Sequence, residues 1–416
     1  MVNAKNPFVL SAILCAVVLY TGFVKIKTPN PFVTLAKKTD IISLSGKIIS
    51  NPVKNVSYKS YSCIFAPNFA RTKNGAIFSC SGELPISIDE AIVEADFPGK
   101  LYSRSIGKGA VLCENGARAE FVGNFSKKEI FYVNKAKSFG FEKSFFGTLL
   151  KVRALSRLQF RRLMYAWGKA GGFLLALVSG SREATEPLIV NSFRNAGLSH
   201  ILALSGMHLS LISSIAIFAG FFLFGARRAS LFQFFAILIF VWFAGFSPSL
   251  LRAFLCAVFL LCFNTFHVKN YNLFLIVCLS FLLHIVIAPS HIMNVAFMLS
   301  YGALAGIVLF AEKIKTIFIR VLPDLAATSL ASSCGAQTFA APLSLVIFGT
   351  WMPIGIIAST IVSPLIAIFI YGGLTFIVLC LSFPFLANAS GFLMNALYEL
   401  IKIIVLFFSH FPGFVL

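Results

Sequence analysis

Two histidines and a serine stand where a polar segment runs into a long apolar one. His200, Ser205 and His208 occupy these positions, and Gly206 lies between the last two. Polar side chains at membrane depth are costly unless they face a bundle interior or water. Glycine lets another chain approach closely, or lets a helix break. These residues are therefore the first candidates for a functional site inside a membrane.

The serine and the second histidine could also perform covalent chemistry. Residues three positions apart share a helical face, so His208 could activate Ser205 as a nucleophile. The Ser-Gly pair resembles that of intramembrane serine proteases, although these usually take the base from another helix and have Gly where Ala203 stands. His200 and His208 are poor zinc ligands, because their spacing turns them about 80° apart on a helix. Packing of both histidines inside a bundle is the simplest alternative.

Arginine offers a second kind of chemistry. Arg252 stands at the start of an apolar stretch, directly after a Ser-Pro-Ser turn at residues 247–249. A guanidinium binds phosphate through two parallel hydrogen bonds, which lysine cannot copy. Alternatively, a long cationic side chain snorkels to the membrane surface. Further along, Asn294, Ser300 and Gln337 either line a polar path or join one helix to another.

These residues belong to a chain suited to a membrane. Of its 416 residues 58% are hydrophobic, and the mean hydropathy is +0.87. Only three acidic residues follow His200, namely Glu312, Asp324 and Glu399. A span needs about 20 mostly apolar residues. Eight such stretches follow one another, at residues 200–224, 230–246, 250–267, 271–288, 291–311, 326–348, 353–377 and 386–412. A further stretch at 7–24 is predicted to be an uncleaved anchor.

Basic residues in the loops predict the orientation of the bundle. Arg227 with Arg228, then Lys269, then the basic residues between 313 and 320 fall in alternate loops, and the intervening loops contain no Lys or Arg. The positive-inside rule places the basic loops in the cytoplasm. Residue 200 and the region between it and the anchor then lie outside the cytoplasm. Four lysines between residues 25 and 38 disagree with this orientation.

The first half of the chain is strongly basic. Residues 1–199 contain 27 Lys and Arg against 12 Asp and Glu, whereas residues 200–416 contain 8 against 3. Basic surfaces attract the phosphates of nucleic acid or of anionic lipid. Residues 136–199 are predicted to be helical, with an apolar face that includes Phe145, Leu149, Val152 and Trp167. Contact with a lipid surface is a more typical role for such a helix than contact with DNA.

Residues 38–135 have the pattern of a small β domain, which a linker at 25–37 connects to the anchor. Alternating runs at 41–49, 58–65, 76–80 and 110–113 are separated by turn formers such as Asn74-Gly75. About five strands would suit a partly open barrel of the OB type. If this domain lies outside the cytoplasm, a disulfide can form, and Cys63 with Cys80 is the preferred pair.

Several motifs, in order, resemble those of the ComEC family of competence proteins. Residues 193–208 resemble an FRxxGLxH element followed by SGxH, and residues 245–253 resemble a G-x-S-P-S turn followed by Arg-Ala. Residues 294–301 resemble a family helix. Gln337 with Pro342 resembles a Q-x4-P element, and residues 359–364 resemble N-x4-P with Ser in place of Asn. The likeness covers roughly residues 140–380, and an ordered set is far more specific than one motif.

The resemblance implies an all-α polytopic bundle of about nine spans in the cell inner membrane, with a small extracytoplasmic OB-like β domain. It implies an uptake channel for single-stranded DNA in natural transformation, which is not an enzyme and needs neither a cofactor nor a metal. A path for a polyanion would use cationic and neutral polar side chains and avoid acids. The candidate conduit residues are Arg194, His200, Ser205, Gly206, His208, Ser247, Pro248, Arg252, Asn294, Ser300, Gln337 and Pro342.

Other proteins are expected to supply the remaining steps of DNA uptake. Family members often continue into a metallo-β-lactamase-like domain with an HxHxDH motif, which this sequence lacks, so a separate nuclease is expected. No GxxxxGK[ST] loop is present either, so a cytoplasmic motor ATPase or a gradient would drive transport. A DNA receptor, membrane lipid and a second copy of the chain are further expected partners.

Two alternative functions remain open from the sequence. One is an intramembrane serine hydrolase that uses Ser205 with a histidine. The other is a small-solute transporter, although the scarcity of membrane acids makes proton or sodium coupling hard to build.

Overall fold

The computed structural model describes residues 31–35, 37–55, 58–93, 114–126, 129–182, 185–266 and 272–415. These residues form two compact units. One unit contains the described residues up to 176 together with 181–185, and the other contains residues 177–180 and those from 186 onward. The predicted anchor at 7–24 and the predicted strand at 110–113 lie outside the described residues.

The first unit contains a small β barrel. Its strands are β1 Val33–Thr34, β2 Ile41–Ile48, β3 Val53–Asn55, β4 Ser60–Thr72, β5 Ile77–Ser81, β6 Leu84–Asp89, β7 Arg118–Phe125 and β8 Phe131–Gly140, with a short helix α1 Glu90–Val93 after β6. β2 pairs with β4 and β7, β7 pairs with β8, and β4 pairs with β6, all antiparallel. A parallel pairing of β6 with β8 closes the ring. The N-terminal β domain predicted from the sequence is therefore confirmed.

The barrel core explains why these strands alternate. Phe65, Phe121 and Phe131 are fully buried, and the rings of Phe65 and Phe121 meet edge to face at 5.0 Å.

Pairing of β7 with β8 continues as far as Arg118 and Gly140. Residues 136–140 are therefore strand, and the expectation that the helical segment begins at residue 136 is wrong.

The predicted disulfide between Cys63 and Cys80 is wrong, because both thiols are free and buried. Cys63 lies on β4 and is paired with Ile86 of β6. Cys80 lies on β5, directly after Ser79, which is paired with Phe69 further along β4. About five strand positions separate the two cysteines along β4, or roughly 16 Å, and a disulfide needs Cα atoms about 6 Å apart. Burial raises the pKa of the Cys63 thiol to about 12, so this thiol stays protonated and unreactive.

Two helices follow the barrel, α2 Phe145–Tyr165 and α3 Gly168–Ser179, and the first unit contains all of α2 and the part of α3 up to residue 176. The buried side of α2 carries two arginines. Arg157 Nε lies 3.4 Å from Glu114 Oε1, and both side chains are buried. Arg153 Nη1 donates to Asn51 Oδ1 at 3.2 Å. These contacts attach α2 to the loops of the barrel.

The apolar face predicted for α2 is mostly not its buried face. Phe145 is 79% exposed and Val152 is 48% exposed, whereas Ala154 and Leu158 are buried. The helical wheel ranks positions by hydropathy alone. It therefore cannot predict that arginines of α2 are buried against a carboxylate of the barrel unit.

The second unit is helical. Its helices are α4 Pro187–Asn195, α5 Ser199–Leu202, α6 Gly206–Phe224, α7 Ala226–Ala244, α8 Pro248–Thr265, α9 Leu273–Ile287, α10 Val295–Phe318, α11 Asp324–Phe348, α12 Gly355–Ser382 and α13 Ala387–Ser409. Among the described residues, seven helices are long and apolar enough to cross a membrane, namely α6, α7, α8, α10, α11, α12 and α13. The chain is therefore a multi-pass membrane protein. α9, at 15 residues, is an apolar helix below that length.

Two predicted spans differ from the helices found. The stretch 200–224 is divided, because α6 begins only at Gly206. The stretch 291–311 is displaced, because residues 289–293 form a 3₁₀ turn and α10 runs on to Phe318. Asn294 determines the start of α10, since its side chain accepts a hydrogen bond from the backbone N–H of Ala296 at 2.9 Å.

Irregular backbone precedes α6. Ala203 and Ser205 are extended, and Gly197 has a φ of +72° that other residues adopt only with strain. A Cβ on Gly197 would lie 2.9 Å from the backbone oxygen of Met352 and 3.1 Å from Cα of Gly355, so this turn packs tightly on the segment before α12.

Two sets of hydrogen bonds join the C-terminal part of the second unit to earlier segments of the chain. Lys402 Nζ lies 3.0 Å from Glu186 Oε2, and the Tyr398 hydroxyl donates to the same oxygen at 3.1 Å, which joins α13 to the start of α4. After α13, β10 Phe414–Val415 pairs with β9 Thr350–Trp351, which precedes α12.

Candidate functional site

The start of α6 forms the first part of the site. The chain enters this helix in an extended conformation, and Ser205 is its N-cap. The backbone N–H of Ser205 donates to Nδ1 of His208 at 3.3 Å, and the Ser205 hydroxyl lies 3.1 Å from the same nitrogen. The imidazole therefore folds back over the first turn, and it is only 2% exposed.

Arg252 on α8 forms the second part. A Cβ on Gly206 would lie 3.0 Å from Arg252 Nη2, so the guanidinium rests against the first residue of α6. Arg252 Nη1 donates to the backbone oxygen of Ser300 on α10 at 2.5 Å. One arginine thus touches two other helices, and the absence of a side chain at Gly206 makes the approach possible.

Three buried polar atoms on these elements have no hydrogen-bond partner among the described residues. They are Nε2 of His208, Nε of Arg252 and the hydroxyl oxygen of Ser247, the N-cap of α8. Buried polar groups are normally satisfied, so each exception needs an explanation. Two of these atoms, Nε2 of His208 and Nε of Arg252, belong to side chains at the junction of α6 and α8. Nε of Arg252 carries a hydrogen, and Nε2 of His208 carries one when Nδ1 accepts its hydrogen bond.

A chain of polar side chains lies beside Arg252. The Tyr301 hydroxyl on α10 lies 3.3 Å from Nδ1 of His284 on α9, and Nε2 of His284 lies 3.0 Å from Nδ1 of His291. His284 is fully buried, whereas His291 is partly exposed in the 3₁₀ turn. Ser280, one turn before His284, contacts Cys256 of α8 at 3.3 Å.

Sequence reasoning missed most of this second group. His284, His291, Tyr301 and Cys256 were not among the candidates. The signal for His284 was present, because an ionisable residue inside an apolar stretch indicates a functional site. Its pairing with His291 was not accessible, since it depends on a turn that brings residues 284 and 291 together.

The remaining candidates have other positions. Arg194 lies in α4 and is exposed, whereas His200 lies in α5, close enough to His208 for the two imidazoles to interact electrostatically. Gln337 accepts a hydrogen bond from Nε1 of Trp351 at 3.2 Å, so it fastens the β9 segment to α11. Pro342 lies inside α11.

Two further candidates act at helix starts or through the backbone. Pro248 occupies the first turn of α8. Ser300 contributes its backbone oxygen rather than its hydroxyl to Arg252. Of the twelve candidates, the structure therefore brings Ser205, Gly206, His208, Arg252 and Ser300 together.

The chemistry of this site is cationic and neutral. No group of three or more His, Cys, Asp or Glu that could hold a metal occurs in the described part of the chain. The positive dipole end of α6 lies beside Arg252, whose Nη2 approaches Gly206, and the Ser205 and His208 side chains cap two backbone N–H groups of this helix start. Such an arrangement suits an anion.

The barrel carries a separate basic surface. Lys47 pairs across the sheet with Arg118, and Lys137 pairs with Glu120. Exposed aromatic rings lie on β8 and on β4, which pairs with β2: Tyr132 and Phe139 on β8 are 47% and 51% exposed, and Phe69 on β4 is 53% exposed. Lys137 Nζ lies 5.7 Å from the centre of the Phe139 ring. We call the surface formed by the residues listed next the barrel face: Lys47, Phe69, Arg71, Arg118, Tyr132, Lys135, Lys137 and Phe139.

Comparison with known proteins gives two matches. A family model described as Competence protein matches residues 177–416, more than half of the chain. ComE operon protein 3 of Bacillus subtilis (strain 168) is 26% identical over 156 residues, which cover 35% of this chain and 19% of the relative. The chain thus matches about a fifth of the length of that relative. No solved structure matches.

Proposed function

Because the chain belongs to the Competence protein family, we propose that it conducts single-stranded DNA across the cell inner membrane during natural transformation. The observation that carries this proposal is the position of Arg252, whose guanidinium lies against Gly206 at the broken start of α6. The match to ComE operon protein 3 supports a role in competence DNA uptake.

The site suits a phosphate that must be bound and then released. One donor of Arg252 is already hydrogen-bonded to the Ser300 carbonyl, and this bond holds the arginine side chain in place. Its unpartnered Nε remains for the ligand, together with the N–H groups in the first turn of α6 that lie outside the capping box. A phosphodiester would receive charge-assisted hydrogen bonds from both. No carboxylate among the described residues hydrogen-bonds to Arg252.

The barrel face would guide the strand before it enters the membrane. OB-type domains bind single strands through a basic groove and through stacking of bases on aromatic rings. Lys47, Arg118 and Lys137 supply the charge, while Phe69 and Phe139 supply the rings. The exposed apolar side of α2, which includes Phe145 and Val152, suits insertion into the outer leaflet of the membrane.

The proposed topology has nine spans, with the barrel outside the cytoplasm. Arg227 and Arg228 at the start of α7 and Lys313 and Lys315 at the end of α10 would face the cytoplasm. The channel would act with a DNA receptor outside, a motor ATPase in the cytoplasm and a separate nuclease, and it would contact membrane lipid and a second copy of itself.

The test replaces Arg252 in a strain that takes up labelled DNA. Arg252→Lys and Arg252→Gln should both reduce DNA entry by tenfold or more, about 1.4 kcal/mol in phosphate binding. Arg320→Gln, an exposed residue after α10, serves as the matched control and should leave entry close to the wild-type level. Immunoblots of membrane fractions verify equal protein levels. Full uptake with Arg252→Lys at a normal protein level would contradict the phosphate-binding role and would indicate that Arg252 only anchors its helix at the membrane interface.

A second function has one observation in its favour. The Ser205 hydroxyl lies 3.1 Å from Nδ1 of His208, within reach for a nucleophile and a base. The same contact belongs to a helix cap, which explains it without catalysis. A fluorophosphonate probe distinguishes the two: a capping serine should remain unlabelled, whereas labelling that disappears in Ser205→Ala would indicate a hydrolase.

A further inference from the structure

His284 and His291 form a hydrogen-bonded pair beside the proposed anion site. Nε2 of His284 and Nδ1 of His291 are 3.0 Å apart, so one of the two nitrogens must carry the shared hydrogen. His284 also contacts the Tyr301 hydroxyl through its other nitrogen. Both nitrogens of this buried ring are therefore used, and the pair leads from the partly exposed His291 to the residue next to Ser300, which binds Arg252.

We propose that His284 and His291 form a proton-binding site coupled to the phosphate site at Arg252, so that a phosphate and a proton are held together. This proposal rests on the proposed function of the Arg252 site. The ligand of the pair is one proton taken from water at the exposed edge of His291.

The geometry accepts that proton without breaking the chain of hydrogen bonds. In one neutral arrangement Nδ1–H of His291 donates to Nε2 of His284, and Nδ1–H of His284 donates to the Tyr301 oxygen. Nε2 of His291 then carries no hydrogen and can take the proton from water. Both contacts keep their direction after proton uptake, and the added charge resides on His291.

The surroundings make this proton dependent on an anion. The ionisable groups around His284 are Arg252 and Cys256 on α8, Tyr301 on α10 and His291 in the turn. No carboxylate is among them in the part of the chain that the structure describes. A second positive charge beside Arg252 is therefore unfavourable until a phosphate supplies a negative one. By linkage, the proton then strengthens the binding of the phosphate to the same degree.

The sign of the pH dependence follows from this coupling. Protonation of the pair increases as the external pH falls, so DNA binding and entry should rise toward acidic pH and fall toward alkaline pH. A coupling of the usual size predicts about a fivefold or larger change. Burial lowers the pKa of His291, so we expect this change toward the acidic end of the range in which histidine titrates, roughly pH 5 to pH 8.

The experiment measures entry of labelled DNA as a function of external pH, in cells that carry the full chain. His291→Gln and His284→Gln should keep measurable uptake but lose the pH dependence. His410→Gln is the matched control, because His410 is exposed beyond α13 and should retain the wild-type profile. His291→Gln is the more informative variant, since it changes a partly exposed ring and leaves the buried His284 in place.

A second measurement separates the two proposals. The full chain in lipid nanodiscs is titrated with a fluorescent oligodeoxythymidylate at several pH values. Binding that weakens in Arg252→Gln but is equally strong at all pH values in the wild type would overturn the proton site and leave the conduit intact. A His291→Gln profile that matches the wild type would do the same. DNA entry and binding that do not depend on the chain at all would remove the proposed function itself.

Discussion

At the scale of single residues, Gly206 is the position on which the site depends most directly. A Cβ at this residue would lie 3.0 Å from Arg252 Nη2, so the guanidinium would have to move by a few tenths of an ångström. We expect Gly206→Ala to insert normally and to reduce DNA entry about tenfold, or about 1.4 kcal/mol.

The control for this change is Gly372→Ala, because the nearest atom to a Cβ at Gly372 is 3.8 Å away and no contact is crowded. Uptake assays and immunoblots of both variants make the measurement. Equal uptake in the two variants would mean that the position of Arg252 against α6 has no role in transport.

Sequence alone predicted part of the site at this scale. Ser205, His208 and Arg252 stood out because polar residues inside apolar stretches are unusual. Their meeting could not be predicted, since it requires α6, α8 and α10 to pack at one point. The roles of Asn294 and Gln337 could not be predicted either: a capping bond and a bond to Trp351 leave no mark in the sequence that separates them from channel-lining residues.

At the scale of secondary-structure elements, the buried pair of Arg157 and Glu114 fixes α2 to the barrel unit. Removal of one partner from a buried pair leaves an uncompensated charge, so Glu114→Gln should lower the free energy of unfolding of this unit by about 3 kcal/mol. Trp167, which is buried, reports unfolding by fluorescence in a full chain that carries Trp242→Phe and Trp351→Phe.

Lys151→Ala is the matched control on the same helix, because Lys151 is exposed and should change stability by less than about 0.5 kcal/mol. If Glu114→Gln and Lys151→Ala unfold alike, the pair contributes no net stability.

The pair of α10 and α11 gives a second prediction at this scale. A Cβ on Gly306 would overlap the carbonyl oxygen of Gly335, whereas a Cβ on Gly302 would meet only side-chain atoms at 3.4 Å. Gly306→Ala should therefore destabilise the bundle by about 1–3 kcal/mol or more, and Gly302→Ala should be tolerated. Thermal melting of the purified chain in detergent provides the comparison, and equal melting temperatures would contradict this packing.

Periodicity predicted these elements better than it predicted their faces. The helix α2 was found, and its predicted apolar face with Phe145 and Val152 is exposed, but the wheel did not identify the face that is buried. A helical wheel cannot include a partner such as Glu114, which comes from a distant part of the chain. The closed ring of the barrel likewise needed β6, β7 and β8, whose short alternating runs were less evident than that of β2.

At the scale of the whole molecule, the orientation can be tested with thiol reagents. In a chain without its native cysteines, Arg228→Cys should resist a membrane-impermeant reagent, because the positive-inside rule places it in the cytoplasm. Lys73→Cys, in an exposed hairpin of the barrel, should react once the outer envelope is opened. Permeabilised cells provide the control, in which both positions react. The opposite labelling pattern would reverse the proposed orientation.

Composition and charge predicted the class of molecule correctly, since the seven long apolar helices account for most of the predicted spans. The predicted count was less secure, because length decides it. A helix such as α9 falls below the usual limit, and hydropathy alone does not say whether it crosses.

Two contacts between distant segments place a condition on that count. β9 pairs with β10, and Gly197 packs on Met352, so the members of each pair lie on the same side of the membrane. A chain that leaves one side and returns to it must cross an even number of times. Two helices, α12 and α13, lie between β9 and β10, and both are long.

Among the described residues, seven helices, α5 to α11, lie between Gly197 and Met352; α5 has only four residues, and five of the other six helices are long. Five is an odd number, so if those five cross, α9 must cross as well. Its 15 residues rise only about 22 Å. The bilayer around α9 must therefore become thinner, or the residues next to α9 must complete the crossing.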